Sequence, residues 1–294
     1  MKKYLFLFFK KITNIFRDKN LKAFPGAVFF YDFLLNKIKP TKGIILIPCQ
    51  GNKMYVDASD TGVAPDLLYY GLYGSHIIEL IKRKIKPDMT VLDLGANIGF
   101  YTLYAAKLVG NKGKVYAFEP EPKNYQLLLR NIQINNFKNI IPIQKAVSNS
   151  NGKTQLYLDK TNLCKHSFSE NNISEKSGSI EVETTTLDTF FKDKLEFDRI
   201  DFIKIDVEGA EGLAIKGAQK ILQNKNLQIL LEFWPSGQKN MGTDPFELLK
   251  CLQEYGFKIK LPNNIHQSIT PSEVIELCEK VDDRKGYIDL LLEK

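Results

Sequence analysis

Apolar positions along the chain follow two different rhythms, which meet at Pro87. Before it the pattern is helical or alternating in short pieces. Leu5, Phe8, Phe9, Ile12, Ile15 and Phe16 form one stripe of a helix, with lysines on the other face. Residues 40–58 predict a small hairpin: Ile44 to Ile47, a "CQGN" turn, then Met54 to Asp57. From Ser75, Ile77, Ile78, Ile81 and Ile85 share a helical face that Pro87 stops. The expected organisation is an N-terminal region over 1–86 and a second domain over 87–294.

Beyond Pro87, strands alternate with helices. Strands are predicted at 90–94, 114–119, 140–144, 200–205, 227–232, 257–261 and 287–292. Helices are predicted at about 99–109 and 122–135, the second opening on Pro122. Another follows Gly209, with Ala214, Ala218, Ile221 and Leu222 at helical spacing, and one opens at "DPFE", where Asp244 can cap and Glu247 can reach back. This alternation predicts an α/β fold with a mainly parallel, doubly wound sheet. Its ligand belongs beyond the carboxyl ends of the strands. Residues 159–179, "DKTNLCKHSFSENNISEKSGS", interrupt the rhythm between strand candidates 154–158 and 180–184. Structureless loops beyond about 12–15 residues are functional or disordered, so a lid or substrate loop is expected there, with plain disorder as the alternative.

Composition narrows the class. Of 294 residues, 44% are hydrophobic, ample for a core. The net charge is +7, but residues 1–22 hold seven cations against Asp18 alone, so six of the seven net charges lie there. That basic, phenylalanine-bearing helix suits an anionic membrane surface, or equally a packing face on the body. The nearly neutral remainder does not call for nucleic acid. Cys49, Cys164, Cys251 and Cys278 form no C-x-x-C pair, which gives no support to a zinc site or a disulfide framework. Tyr4 to Phe9 is too short for a signal peptide core, and nothing approaches the ~18 apolar residues of a spanning helix. A cytoplasmic location is expected, peripheral at the inner membrane face if residues 1–22 meet lipid.

The chemistry gathers at strand ends. "VLDLGANIGFYT", residues 91–102, places Asp93, Gly95 and Gly99 where the first strand of the second domain feeds its helix. A dinucleotide turn needs G-x-G-x-x-G, and here Asn97 and Phe100 replace the second and third glycines. S-adenosylmethionine has no pyrophosphate and demands less: one tight turn and an acid nearby for its ammonium. Glu119 in "VYAFEP" ends the next strand, 24 residues after Gly95, close to the ~20 expected of a ribose-binding acid. A third strand end carries Asp206, Glu208 and Glu211 around Gly209. Three clustered carboxylates need compensation from a helix N-terminus, a cationic ligand or a metal.

"TVLDLGANIGFYTLYAAKLVGNKGKVYAFEPEPKNYQLLLRNI", "AVSNSNGKTQLYL", "TTLDTFF" and "IDFIKIDVEGAEGLAIKGAQKIL" together resemble the FkbM family of class I S-adenosylmethionine-dependent methyltransferases over roughly residues 85–235. The resemblance implies a seven-stranded Rossmann-like sheet whose last strand, "YIDLLLEK", is antiparallel. It also implies O-methylation of a hydroxyl on a sugar, glycan or similar small molecule. Carried over by position, Asp93, Gly95, Asn97 and Gly99 form the cofactor turn, Glu119 holds the ribose, and Ala146 and Val147 lie near the adenine. Asn97 stands where class I turns usually have glycine. Asp206 or Glu208 is the expected general base, with His76 and His166 as alternatives. Glu232 in "ILLEFWP" can join Asp206 around a divalent ion or be a partly buried acid bonded to backbone, and no metal is assigned. The rival readings are a nucleic-acid methyltransferase on the same fold and a non-catalytic membrane-surface module. Oligomeric state is not legible.

Overall fold

The structure, a computed structural model, describes residues 40–194, 196–280 and 286–294. The amphipathic stripe of residues 1–22 lies outside them. The chain divides into two compact units, one up to Tyr73 and one from Gly74 onward.

In the first unit, β1 (Ile44–Cys49) pairs antiparallel with β2 (Asn52–Asp57). Gln50 and Gly51 both take positive φ, 49° and 76°, the turn that matches strand twist in a two-residue hairpin. Ile45, Ile47, Met54 and Val56 are buried at alternate positions, and α1 (Ala64–Tyr70) buries Leu67 and Leu68.

The second unit begins with α2 (Ser75–Lys84) and continues through β3 (Thr90–Leu94), α3 (Phe100–Val109), β4 (Lys114–Phe118), α4 (Pro122–Ile134) and β5 (Ile140–Ile143). A small sheet follows, built from β6 (Ala146–Val147), β7 (Gly152–Asp159) and β8 (Lys176–Thr185). Then come α5 (Leu187–Phe191), β9 (Phe202–Ile205), α6 (Glu211–Lys216), β10 (Gln228–Phe233), α7 (Pro235–Asn240) and α8 (Pro245–Glu254). The chain closes with β11 (Lys258–Leu261), β12 (Asn264–Ile269), α9 (Pro271–Lys280) and β13 (Ile288–Glu293). Boundaries thus fall earlier than Pro87: α2 belongs with the second unit, because Lys84 donates to Glu293 at 2.6 Å and Ile77, Ile78, Leu80 and Ile81 are buried.

The main sheet has the order β12-β11-β13-β10-β9-β3-β4-β5. From β10 to β5 every pairing is parallel, and β13 runs antiparallel between β10 and β11, as expected of the last strand. The expected seven strands become eight because β12 folds back on β11. Its residues, "NIHQSI", are half or fully exposed, so its hydrophobic alternation is too weak to read. β3 and β9 are buried at every residue, as strands covered on both faces must be. Helix α6 ends at Gly217 instead of running on through Leu222. A Cβ at Gly217 would strike the carbonyl of Ser148, so the chain passes that backbone too closely to continue as a regular helix.

The polar segment expected over 159–179 is shorter and ordered, since β7 runs to Asp159 and β8 begins at Lys176. The Asp159 carboxylate accepts from the amides of Thr161, Asn162 and Glu175, closing the base of the loop. Ser167 pairs by backbone with Tyr157, pinning its middle.

Candidate active site

Strands β9, β3 and β4 are neighbours, so their carboxyl ends present Asp206, Asp93 and Glu119 along one edge. The turn after β3 is held by backbone: Gly95 and Ala96 donate to the Phe118 carbonyl at 3.0 and 2.9 Å. Gly95 has φ +82°, and a Cβ there would run into the Asp206 carbonyl oxygen. Gly99, at φ +93°, caps α3 where a Cβ would strike Leu128 of α4. Asn97 sits at φ +50°, a left-handed conformation that asparagine tolerates better than most residues. Its side chain bonds to protein: Oδ1 accepts from the Ile98 amide at 2.7 Å and Nδ2 donates to the Leu163 carbonyl at 3.2 Å. Asn124 of α4 donates to that same carbonyl at 2.9 Å, so the turn and α4 together hold the loop.

Asp93 is 2% exposed. Thr102 donates to its Oδ2 at 2.5 Å, and Oδ1 has no hydrogen-bond partner among the described residues. Burial raises its pKa, against the opposing pull of Lys204. Glu119 accepts from the Asn97 amide at 2.7 Å and the Glu121 amide at 2.9 Å. Burial outweighs those bonds and pushes its pKa up to about 8. Each carboxylate oxygen has a second lone pair, so Glu119 can still accept from two hydroxyls. A buried carboxylate oxygen of Asp93 that accepts no hydrogen bond, suited to an ammonium, and the free lone pairs of Glu119, suited to a diol, fit the amino-acid and ribose ends of S-adenosylmethionine.

Beyond β9 and β10 the carboxylates of Asp206, Glu208 and Glu232 each offer an oxygen within 4.8 Å of the others, an arrangement able to ligate a hard cation. The geometry brings in Glu208 beside the Asp206 and Glu232 pair weighed from sequence. Lys204, 6% exposed, provides compensation not foreseen among a helix N-terminus, a cationic ligand and a metal: its Nζ lies 2.7 Å from Asp206 Oδ2 and 4.0 Å from Asp93 Oδ1, over the Tyr101 ring. Burial and the neighbouring acids raise the pKa values of Glu208 and Glu232 well above the ordinary carboxylate range. Glu208 takes φ +51°, whereas Glu211 is fully buried in the first turn of α6, accepting from the Gly209 amide at 2.9 Å and Gln238 at 3.3 Å. Glu211 therefore has a structural role.

Asp289 faces Glu232 across the β10–β13 pairing and holds His76 Nε2 at 3.1 Å, with the His76 side chain 60% exposed. His166 Nδ1 accepts from the Asp159 amide, so this histidine braces the loop base. Ala146 and Val147, placed near the adenine by resemblance, lie on β6 with both side chains 3% exposed in core clusters. There they pair in parallel with Thr184 and Thr185 of β8. One of the residues that complete the site leaves a trace in the sequence. Lys204 is a lone cation inside the apolar run "DFIKID", two residues before Asp206 and so on the same strand face. Ser167 and Asn124 show only in three dimensions.

The strand order, the positive-φ turn and the acids at adjacent strand ends define a Rossmann-like α/β protein of the class I methyltransferase type. The Methyltransferase FkbM domain matches residues 93–259, more than half of the chain, and the chain belongs to that family. S-adenosylmethionine is the methyl donor of this domain. Methyltransferase 1 of Beauveria bassiana is 27% identical over 44% of this chain and 58% of its own length. Hexuronic acid methyltransferase AglP of Haloferax volcanii is 28% identical over 60% of this chain and 67% of its own. The crystal structure of Methyltransferase FkbM from Methylobacillus flagellatus is 19% identical, with a TM-score of 0.44, over 70% of this chain and 44% of that one. The chain thus spans less than two thirds of the first and the third. Among the described residues no helix is long and apolar enough to cross a membrane.

Proposed function

We propose that this protein transfers a methyl group from S-adenosylmethionine to a hydroxyl of a sugar or glycan, with Glu208 as the proton acceptor. The three carboxylates of Asp206, Glu208 and Glu232 at the strand ends carry this reading. Carboxylates accept hydrogen bonds from adjacent hydroxyls, and the likeness to a hexuronic acid methyltransferase points the same way. Asp93, Gly95, Asn97, Gly99 and Glu119 hold the cofactor, whose sulfonium supplies an electrophilic methyl group when bound. Asp206 is bound by Lys204, which leaves it to orient the acceptor. Glu208, with its raised pKa and no ion pair of this kind, takes the hydroxyl proton. Such a base contributes about 10²–10⁴-fold. A phosphodiester acceptor is disfavoured because Asp206, Glu208, Glu232 and Asp289 would face its charge.

Methyl-labelled S-adenosylmethionine incubated with the protein and separate glycan, glycolipid and RNA fractions tests the proposal. Label is expected in the carbohydrate-bearing fractions. Label in RNA alone, or in none, overturns it. Glu208→Gln should lose about 10²-fold or more in turnover while retaining S-adenosylhomocysteine binding. The basic stripe of residues 1–22 supports a cytoplasmic protein peripheral at the inner membrane face, read by co-sedimentation with anionic against neutral vesicles.

A further inference from the structure

Glu208 combines two unfavourable features. Its backbone is left-handed at φ +51°, a region that costs an L-residue energy, and its carboxyl is turned toward two other acids. Left alone, the Glu208–Gly209 peptide would relax and swing the carboxyl toward solvent. The surrounding structure grips that peptide on both sides. Ser167 Oγ donates to the Glu208 carbonyl at 2.6 Å, and Asn172 Nδ2 donates to it at 3.3 Å. The peptide N–H, on Gly209, donates to Glu211 Oε1 at 2.9 Å. Gly209 itself, at φ +97°, has no room for a Cβ between Asn172 Nδ2 and the Gly237 carbonyl.

The two gripping residues are themselves fixed. Ser167 is 2% exposed and bonded by backbone in both directions to Tyr157 of β7. Asn172 is 7% exposed. Its Nδ2 also donates to Ser167 Oγ at 3.0 Å and to the Gly237 carbonyl at 3.3 Å, and its Oδ1 accepts from Asn240 of α7 at 2.8 Å. Strain at one glutamate, resisted by buried side chains from a loop 36–41 residues away in sequence, marks a position that is held on purpose of geometry and not by local preference.

We propose that Ser167 and Asn172 are positioning residues that clamp the Glu208 peptide and so keep the Glu208 carboxyl among Asp206 and Glu232. The role rests on the reading of Glu208 as proton acceptor. The loop between β7 and β8 thereby reaches both halves of the site: Leu163 is held by Asn97 and Asn124 at the cofactor turn, and Ser167 with Asn172 holds the acid of the acceptor side.

The full chain, labelled with ¹³C at glutamate carboxyls, tests the clamp by NMR titration, with signals assigned through Glu208→Gln, Glu232→Gln and Glu119→Gln. Ser167→Ala and Asn172→Ala should each lower the Glu208 midpoint by a unit or more as the carboxyl leaves its acidic neighbours, while Glu119 stays near its own value of about 8. An unmoved Glu208 in both variants, or an equal shift of Glu119 showing general loosening, overturns the clamp. Turnover on the labelled glycan fraction is the second readout. Each alanine variant should lose at least tenfold in kcat with little change in cofactor affinity, and should lose nothing further in a Glu208→Gln background. Full additivity in that background overturns the proposal. Unchanged turnover of Glu208→Gln alone instead removes the proton-acceptor reading, and the titration still decides whether the clamp exists.

Discussion

Replacing Lys204 by methionine probes the electrostatics of the whole edge. The ammonium is buried, 2.7 Å from Asp206 and 4.0 Å from Asp93, and packs over Tyr101, a contact that methionine can keep. Removing one partner of a buried ion pair costs about 3–5 kcal/mol, because the remaining charge stays uncompensated. Two carboxylates are left here, so the upper half of that range is expected at pH 8. For a unit of this size, the matching fall in Tm is roughly 8–20 °C. The single tryptophan, Trp234, stands at the end of β10, so urea unfolding followed by its fluorescence reports on the right unit. The pH dependence has a definite sign. Asp93 already has a raised folded pKa, and loss of Lys204 raises it further above the unfolded value of about 3.9. A group raised in this way contributes stability that is full below the unfolded pKa and is lost as pH climbs through the folded one. The deficit of Lys204→Met should therefore be small at pH 4 and complete by pH 8, and Asp206→Asn in the same chain should recover part of it. A deficit below about 1 kcal/mol, or one equally large at both pH values, would refute the assignment of Lys204 as the compensating charge.

Further outcomes follow from the same geometry. Gly95→Ala should abolish S-adenosylhomocysteine binding by calorimetry and cost more than about 2 kcal/mol, since it combines a positive φ with a collision at the Asp206 carbonyl. Glu119, with its pKa of about 8, must be ionised to accept ribose hydroxyls, so affinity for S-adenosylhomocysteine should rise roughly tenfold per unit up to about pH 8. Glu119→Gln should flatten that profile, and a flat profile in the unmodified protein would contradict the role. Asn97→Gly keeps the turn geometry but removes one bond to the Leu163 carbonyl. Amide exchange across 160–166 should then speed up by about fivefold to tenfold, the worth of one net hydrogen bond, without loss of the fold.

Most of the sheet is legible because parallel strands buried on both faces read as continuous apolar runs, as "TVLDL" and "FIKI" do. Asp93, Glu119 and Asp206 are legible for the same reason, as acids ending such runs. β12 is not, since an exposed edge strand has no buried face to impose a pattern. The early end of α6 depends on how closely Gly217 passes Ser148, a fact of tertiary packing that helical spacing through Leu222 cannot register. The opposite roles of Glu208 and Glu211 are likewise invisible in "DVEGAEG". Glu211 enters the helix while Glu208 stays left-handed, its carbonyl bonded to Ser167 and Asn172 from the preceding loop.

The close approach of Gly95 to the carbonyl of Asp206 ties the turn after β3 and the acidic strand end into one inflexible floor. Neither can shift without displacing the other, so a lineage changing its acceptor has little freedom there.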